Sequence, residues 1–279
     1  MNPRAIPAVL RAGARQAAGD LRPVLLGAGL ASLFVWAVVV IVVARVFDGP
    51  DGAATMFGPM FLASAVGAYG TYIAITIVGE TYNDRVGGAL LRVRILPHGP
   101  MVWAIGKTFS AIAQTILMQL AVLAGGTLFL GSLSWSAPQI LLCLPVVLLT
   151  AVAGAPLGFL VGSLVRGVYS TFLSFPLMLA VMATSGVFCP LDAFPRWLQA
   201  IQLVLPTYWS GHLTRWALVG DPSWEFGGAF TPALAAVILV AWIVVGFAAV
   251  PAVVRRSFRK ESIGSLARMQ STIRSQTGL

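Results

Sequence analysis

The sequence predicts an all-α integral membrane protein with six transmembrane helices, an N-terminal interfacial helix, a short polar helix between spans 2 and 3, and two short outer half-helices between spans 5 and 6. Three observations carry this reading. The 279 residues are 58% hydrophobic and 10% charged, with a mean hydropathy of +0.89, whereas soluble domains carry about 25% charged residues. Six stretches free of Lys, Arg, Asp, Glu and His each reach the ~20 residues that a crossing requires. The basic residues gather beside these stretches in alternate loops, on one side, as the positive-inside bias demands.

Residues 1–23 hold Arg4, Arg11, Arg15 and Arg22. Pro7 stands where a helix can start, and Val9, Leu10, Ala14 and Ala17 supply an apolar side, so a short helix on the cytoplasmic surface is expected. Spans follow at about 24–44 and 54–78, separated by the turn-forming Asp48-Gly49-Pro50-Asp51-Gly52. The second is punctuated by Gly58, Gly67 and Gly70, small residues that let helices approach closely in lipid. Further spans fall at about 109–130, 139–163, 168–188 and 230–254, with Arg166 marking a brief turn between the fourth and fifth. The fourth carries Pro145 and Pro156 and the fifth Pro176, tolerable where neighbours satisfy the freed carbonyls. The domain plan is therefore an interfacial helix at 1–23, a six-span domain at 24–254 and a basic cytoplasmic tail at 255–279.

Two polar segments interrupt this pattern. Gly79 to Lys107 carries Glu80, Asp84, Arg85, Arg92, Arg94, His98 and Lys107. Within it Val86, Leu90, Leu91, Val93 and Ile95 interleave with arginines, as in a short helix lying along a surface, and Pro97 with Gly99-Pro100 stops that helix. Gly106-Lys107-Thr108 copies the end of a phosphate-binding loop, but Met101 stands where the spacing needs glycine and no buried strand precedes it. Lys107 is expected instead where a helix passes from headgroups into hydrocarbon. The second segment, Cys189–Gly228, contains Pro195–Leu205 and Thr207–Val219, each too short to cross. Trp197, Leu198, Ile201, Val204 and Leu205 form one stripe opposite Arg196, Gln199 and Gln202, so two short helices dipping into or resting on the outer leaflet are expected.

Charge fixes the orientation. Of the 18 lysines and arginines, only Arg45, Arg196 and Arg215 fall in the loops opposite the termini, which places both termini in the cytoplasm of a plasma (inner) membrane protein. The net charge of +9 is then explained by topology and anionic headgroups rather than nucleic acid. The first apolar run exceeds the ~7–15 residues of a cleavable signal core, so it is expected to stay as a helix. Cys143 and Cys189 form neither a metal site nor a framework of bridges. His98 and His212 lie on opposite expected faces, which excludes a shared metal or catalytic pair in one subunit. Without ionisable groups in the spans, ion-driven transport has no binding site, and any transport must draw on energy supplied from elsewhere.

Two motifs resemble one family. Gly79-Glu80, Gly87-Gly88, Leu90-Leu91, Arg94, Pro97 and Gly106-Lys107 around the second and third spans are similar to the pattern of ABC-2-type permeases, the membrane subunits of ATP-binding-cassette exporters. Ser185-Gly186-Val187-Phe188, Pro190-Leu191, Pro195, Trp197-Leu198, Pro206 and Tyr208 resemble the pattern between that family's last two spans. The resemblance implies a homodimer, or a dimer with a related permease, bound to two copies of a separately encoded ATPase. No cofactor is then expected in this chain, ATP and Mg being held by the ATPase. It also implies that the segment after the second span is a coupling helix, with Glu80, Asp84, Arg85, Arg92, Arg94 and Pro97 as contact residues. Thr81-Tyr82-Asn83 and Gly87-Gly88-Ala89 depart from the commonest form of the motif.

Phe34, Trp36, Tyr69, Tyr72, Phe172 and Phe175 serve either helix packing or a substrate path. An apolar, aromatic-bearing interior suits an amphipathic drug, antibiotic or lipid, and polysaccharides bound on aromatics stay open. The competing reading is a membrane scaffold or a membrane enzyme, for which only Glu80–Asp84 or Asp192 with His212 offer nearby polar groups.

Overall fold

The computed structural model describes residues 6–48, 57–130, 133, 135–165 and 168–277, and every regular element among them is helical. The turn at 49–52, Arg166, and part of the loop at 131–134 lie outside the described residues. Helices α1 (Ile6–Leu26) and α2 (Ala28–Asp48) are followed by α3 (Phe57–Val86), α4 (Ala89–Arg94), α5 (Gly99–Phe129), α6 (Ala137–Leu164) and α7 (Val168–Met182). A π-helical turn, Ala183–Val187, leads to α8 (Arg196–Val204), α9 (Pro206–Leu218), α10 (Pro232–Arg259) and α11 (Ile263–Thr277). Six helices are long and apolar enough to cross a membrane: α2, α3, α5, α6, α7 with its π turn, and α10.

α3 is the axis of the bundle. Nearly all of it is buried, and α6, α9, α5, α2 and α7 pack around it. Small residues allow this: a β-carbon on Gly70 would lie 2.5 Å from Cβ of Thr150 on α6, closer than any side chain there permits. Pro156, inside α6, rests against Gly246 of α10. α2, α7 and α10 are mostly exposed along their apolar sides, including Val35, Val39, Phe172, Leu173, Val237 and Val244, as expected of surfaces facing lipid.

Three boundaries differ from the expectation. α3 runs eight residues past Val78, so Glu80, Asp84 and Arg85 sit in helix rather than loop. α5 starts at Gly99, not 109, because Pro100 occupies its first turn, where a missing N–H costs nothing, and α1 packs along its early turns. α10 extends through Arg259 before a turn into α11.

The short helices are also arranged differently from a loop shed onto a surface. α9 dips into the bundle, almost wholly buried between α3, α6 and α10. α8 turns its apolar stripe outward: Trp197 is 65% exposed and Val204 67%, while Gln202 is fully buried. Gln202 donates to the Val181 carbonyl (2.9 Å) and to Thr184 Oγ1 (2.8 Å) at the π turn. In a membrane the polar side belongs inside, where its bonds can be satisfied, and the apolar side meets lipid.

Candidate functional site

At the end of α3 nearest α4, opposite charges converge on one lysine. Lys107 of α5 is buried, and its Nζ lies 3.1 Å from Asp20 Oδ2 of α1, 3.3 Å from Glu80 Oε2 and 3.1 Å from Asp84 Oδ2. Gln114, two turns further along α5, donates to Glu80 Oε1 at 3.0 Å, and Trp103 Nε1 donates to Asp84 Oδ2 at 2.7 Å. One cation thus ties α1, α3 and α5 together. Lys107 is the centre of a buried ion-pair cluster, and Gly106-Lys107-Thr108 lies inside a helix rather than in a phosphate-cradling loop.

Arg85 is buried on a different side of the same helix. Its Nε donates to Glu261 Oε1 (2.9 Å) and its Nη1 to the Val165 carbonyl (2.8 Å), while Arg94 Nη1 donates to the Glu261 carbonyl (2.9 Å). Glu261, in the turn after α10, therefore braces α3 and α4 at once. The six residues expected to form a contact surface divide accordingly. Glu80, Asp84 and Arg85 point into the bundle, whereas Arg92, Arg94 and Pro97 are exposed. Beside them the turn after α4 presents Ile95 at 84% exposure and Leu96 at 57%. His98, with φ 56° in the left-handed region, closes that turn before α5.

Further along α3 is an apolar cleft of about 270 Å³. α2 contributes Trp36 and Val39, α3 contributes Phe61 and Tyr69, and α7 with its π turn contributes Leu179, Met182 and Val187, with Phe188 at the rim. Of the six aromatics singled out from sequence, Trp36 and Tyr69 line this cleft. Tyr72 packs edge-on against Tyr69 with centroids 5.6 Å apart. Phe175 packs with Tyr72 and Ile75 behind it. Phe34 and Phe172 are exposed on the outside of the bundle and away from the cleft lining.

At the far end of α3, the half-helix α9 carries a fully buried ionic network that sequence reading missed. Arg215 engages Glu225 with both Nε and Nη2, the latter at 3.0 Å, and its Nη1 donates to Ser64 Oγ of α3 (3.0 Å) and to the Gly186 carbonyl (3.3 Å). Gly186 has φ 89°, a left-handed conformation that glycine adopts without strain. Tyr208 Oη donates to Glu225 Oε2 (3.1 Å) and accepts from the Phe226 N–H (2.9 Å). His212 Nε2 accepts from the Thr231 N–H at 2.9 Å, so the ring proton resides on Nδ1 and is donated to Glu225 Oε2 at 2.6 Å. Burial alone would raise the Glu225 carboxyl. Hydrogen bonds from His212 and Arg215, with the Arg215 charge, outweigh it and hold the pKa at about 2.

Arg215 is thus a structural cation inside the protein and not a loop charge, and His212 pairs with Glu225 rather than Asp192. The network fastens α9 to α3, to the π turn and to the segment entering α10. Among the described residues no group of three or more His, Cys, Asp or Glu side chains is arranged to hold a metal ion.

The family model for ABC-2 type transporters matches residues 22–219. The chain belongs to the ABC-2 type transporter family. No curated protein and no solved structure matches it. The matched region runs from the end of α1 to the end of α9, so it contains Glu80, Lys107, the apolar cleft and Arg215, while Glu225, α10 and α11 lie beyond it. The chain is accordingly the membrane-spanning permease part of an ABC-type transporter, and membership implies an ABC ATPase partner in general. The motif residues now have positions: Glu80 and Lys107 meet each other across α3 and α5, and Ser185-Gly186 form the turn on which Arg215 closes.

Proposed function

We propose that the permease works in an exporter as a dimer, with a second copy or a related permease, driven by two copies of a separate ATPase, and that it moves an amphipathic drug, antibiotic or lipid outward across the plasma (inner) membrane. Both termini then face the cytoplasm, as does the α4 end of the bundle. ATP and Mg belong to the ATPase, and this chain hydrolyses nothing itself. The observation that carries the reading is the reach of α3: one buried, continuous helix supplies a wall of the apolar cleft with Phe61 and Tyr69 and ends in Glu80, Asp84 and Arg85 beside α4.

Arg92 of α4 and the exposed turn of Ile95, Leu96 and Pro97 are the part of the coupling segment that meets the ATPase, whereas Arg94 turns back to the Glu261 carbonyl. Behind that turn, Arg94 of α4 and Arg85 of α3 meet on Glu261, which links the two helices, and Glu80 and Asp84 carry displacement on from α3 to α5 and α1 through Lys107. An apolar cleft with four aromatics, Trp36, Phe61, Tyr69 and Phe188, and no lining charge favours an amphipathic ligand over a highly charged one.

The test is co-expression with a candidate ABC ATPase and purification through this chain. The complex is expected to co-purify and to hydrolyse ATP faster with an amphipathic substrate, while this chain alone shows no turnover. Hydrolysis by the isolated chain, or an ATPase rate indifferent to every candidate substrate while none is transported, would favour a membrane enzyme or a scaffold instead.

A further inference from the structure

α10 leaves one side uncovered along its whole length. Leu234, Val237, Val240, Val244, Ala248 and Ala252 are all exposed and recur at helical spacing. The same side continues without a break into Arg255 and Arg259, three and seven residues beyond Ala252 and also exposed. A lipid-facing apolar stripe that ends in two arginines one turn apart is matched to a molecule with acyl chains and an anionic head.

The surroundings of those arginines form a receptacle. A cleft of about 420 Å³ lies between α4, the first turn of α5 and the end of α10, lined by Arg94, Pro100, Arg255, Phe258 and Arg259. Three arginines line it and no carboxylate does. Among the described residues no carboxylate pairs with Arg255 or Arg259. Arg94 is held in place by its bond to the Glu261 carbonyl, and Phe258 is packed edge-on against Trp103 with centroids 5.3 Å apart, so part of the wall is rigid. The N-terminus of α5, at Pro100, adds the positive end of a 31-residue helix.

We infer that this cleft binds an anionic phospholipid, its phosphate held by Arg94, Arg255 and Arg259 and its acyl chains lying along the exposed stripe of α10. The inference needs α10 to span the membrane and is independent of what the permease transports. Arginine forks suit phosphate oxygens better than lysine would, because they present paired donors in a fixed plane. Each such residue at an anionic surface is worth roughly a fivefold gain in affinity, so losing two lowers it about 25-fold.

The probe is phosphatidylglycerol, with phosphatidylcholine as the neutral reference. The full chain is reconstituted in mixed nanodiscs, extracted in mild detergent, and its retained lipids are counted by native mass spectrometry. Wild type is expected to retain phosphatidylglycerol well above its share of the mixture. Arg255→Gln/Arg259→Gln should lose this preference about 25-fold, while Arg11→Gln/Arg15→Gln, which removes two exposed arginines of α1, should keep it. Size-exclusion elution matching wild type establishes that each variant is folded, and excess inorganic phosphate added to wild type should leave the retained lipid unchanged. Equal retention of both lipids by wild type, equal loss in both double variants, or displacement by inorganic phosphate would each overturn the inference.

Discussion

Replacing Arg215 with methionine keeps most of the side-chain volume and removes all the donors that Glu225, Ser64 and the Gly186 carbonyl now share. Glu225 then remains fully buried with only His212 and Tyr208 to satisfy it. Breaking a buried pair by deleting one partner typically costs about 3–5 kcal/mol, because the remaining charge keeps its desolvation penalty. For a chain of this size such a loss lowers the unfolding midpoint by roughly 6–20 °C. The assay is thermal unfolding of the detergent-purified protein followed by tryptophan fluorescence, with Trp209 and Trp216 of α9 as local reporters. Arg215→Lys should lie closer to methionine than to wild type, since an ammonium cannot reach Glu225, Ser64 and Gly186 together. Arg215→Met/Glu225→Gln should recover part of the loss by removing the stranded charge. A midpoint for Arg215→Met within 2 °C of wild type would refute the view that this network anchors α9.

Two further outcomes follow from the charged clusters. Lys107→Met leaves Asp20, Glu80 and Asp84 facing one another without a cation; these carboxylates are partly solvated, so the expected destabilisation is about 2–3 kcal/mol, and Lys107→Met/Glu80→Gln should recover part of it in the same unfolding assay. Glu225 is held well below its ordinary value of 4.5, at about 2, so the carboxylate contributes stability that is complete above the unfolded pKa and fades as pH falls toward the folded one. The unfolding midpoint should therefore drop between about pH 5 and pH 2, by an amount equivalent to roughly 3 kcal/mol, and this drop should be much smaller in Glu225→Gln.

The spans were legible because hydropathy is a local property: each of the six apolar runs corresponds to one long helix. The polar segments were legible as motifs but not as contacts. Glu80 and Lys107 were both visible as charges beside apolar runs, yet their pairing depends on α5 beginning ten residues earlier than its apolar run, which Gly99-Pro100 permits and packing on α1 completes. Asp20, 87 positions from Lys107, joins them only once α1 lies along α5. Arg215 read as a loop charge because α9 is too short to cross, and nothing local reveals that a short helix is inserted rather than shed. A full charge among Trp209, Leu213, Trp216 and Leu218 was the one available signal that a buried counter-ion was needed. The stripe on α8 is legible from its spacing, but that it faces outward while Gln202 is buried against the π turn depends on tertiary contacts.

The central claim is that Glu80 lies on the route between the ATPase and the cleft, not on the docking surface. The most direct measurement is transport per ATP hydrolysed in proteoliposomes containing the permease with its ATPase, for wild type and Glu80→Ala, with complex assembly measured on the same samples. Assembly is expected to match wild type because Glu80 is turned toward Lys107 and Gln114, while the ratio of transport to hydrolysis falls severalfold. A wild-type ratio with normal assembly, or a loss of assembly with an unchanged ratio in the complexes that form, would contradict it.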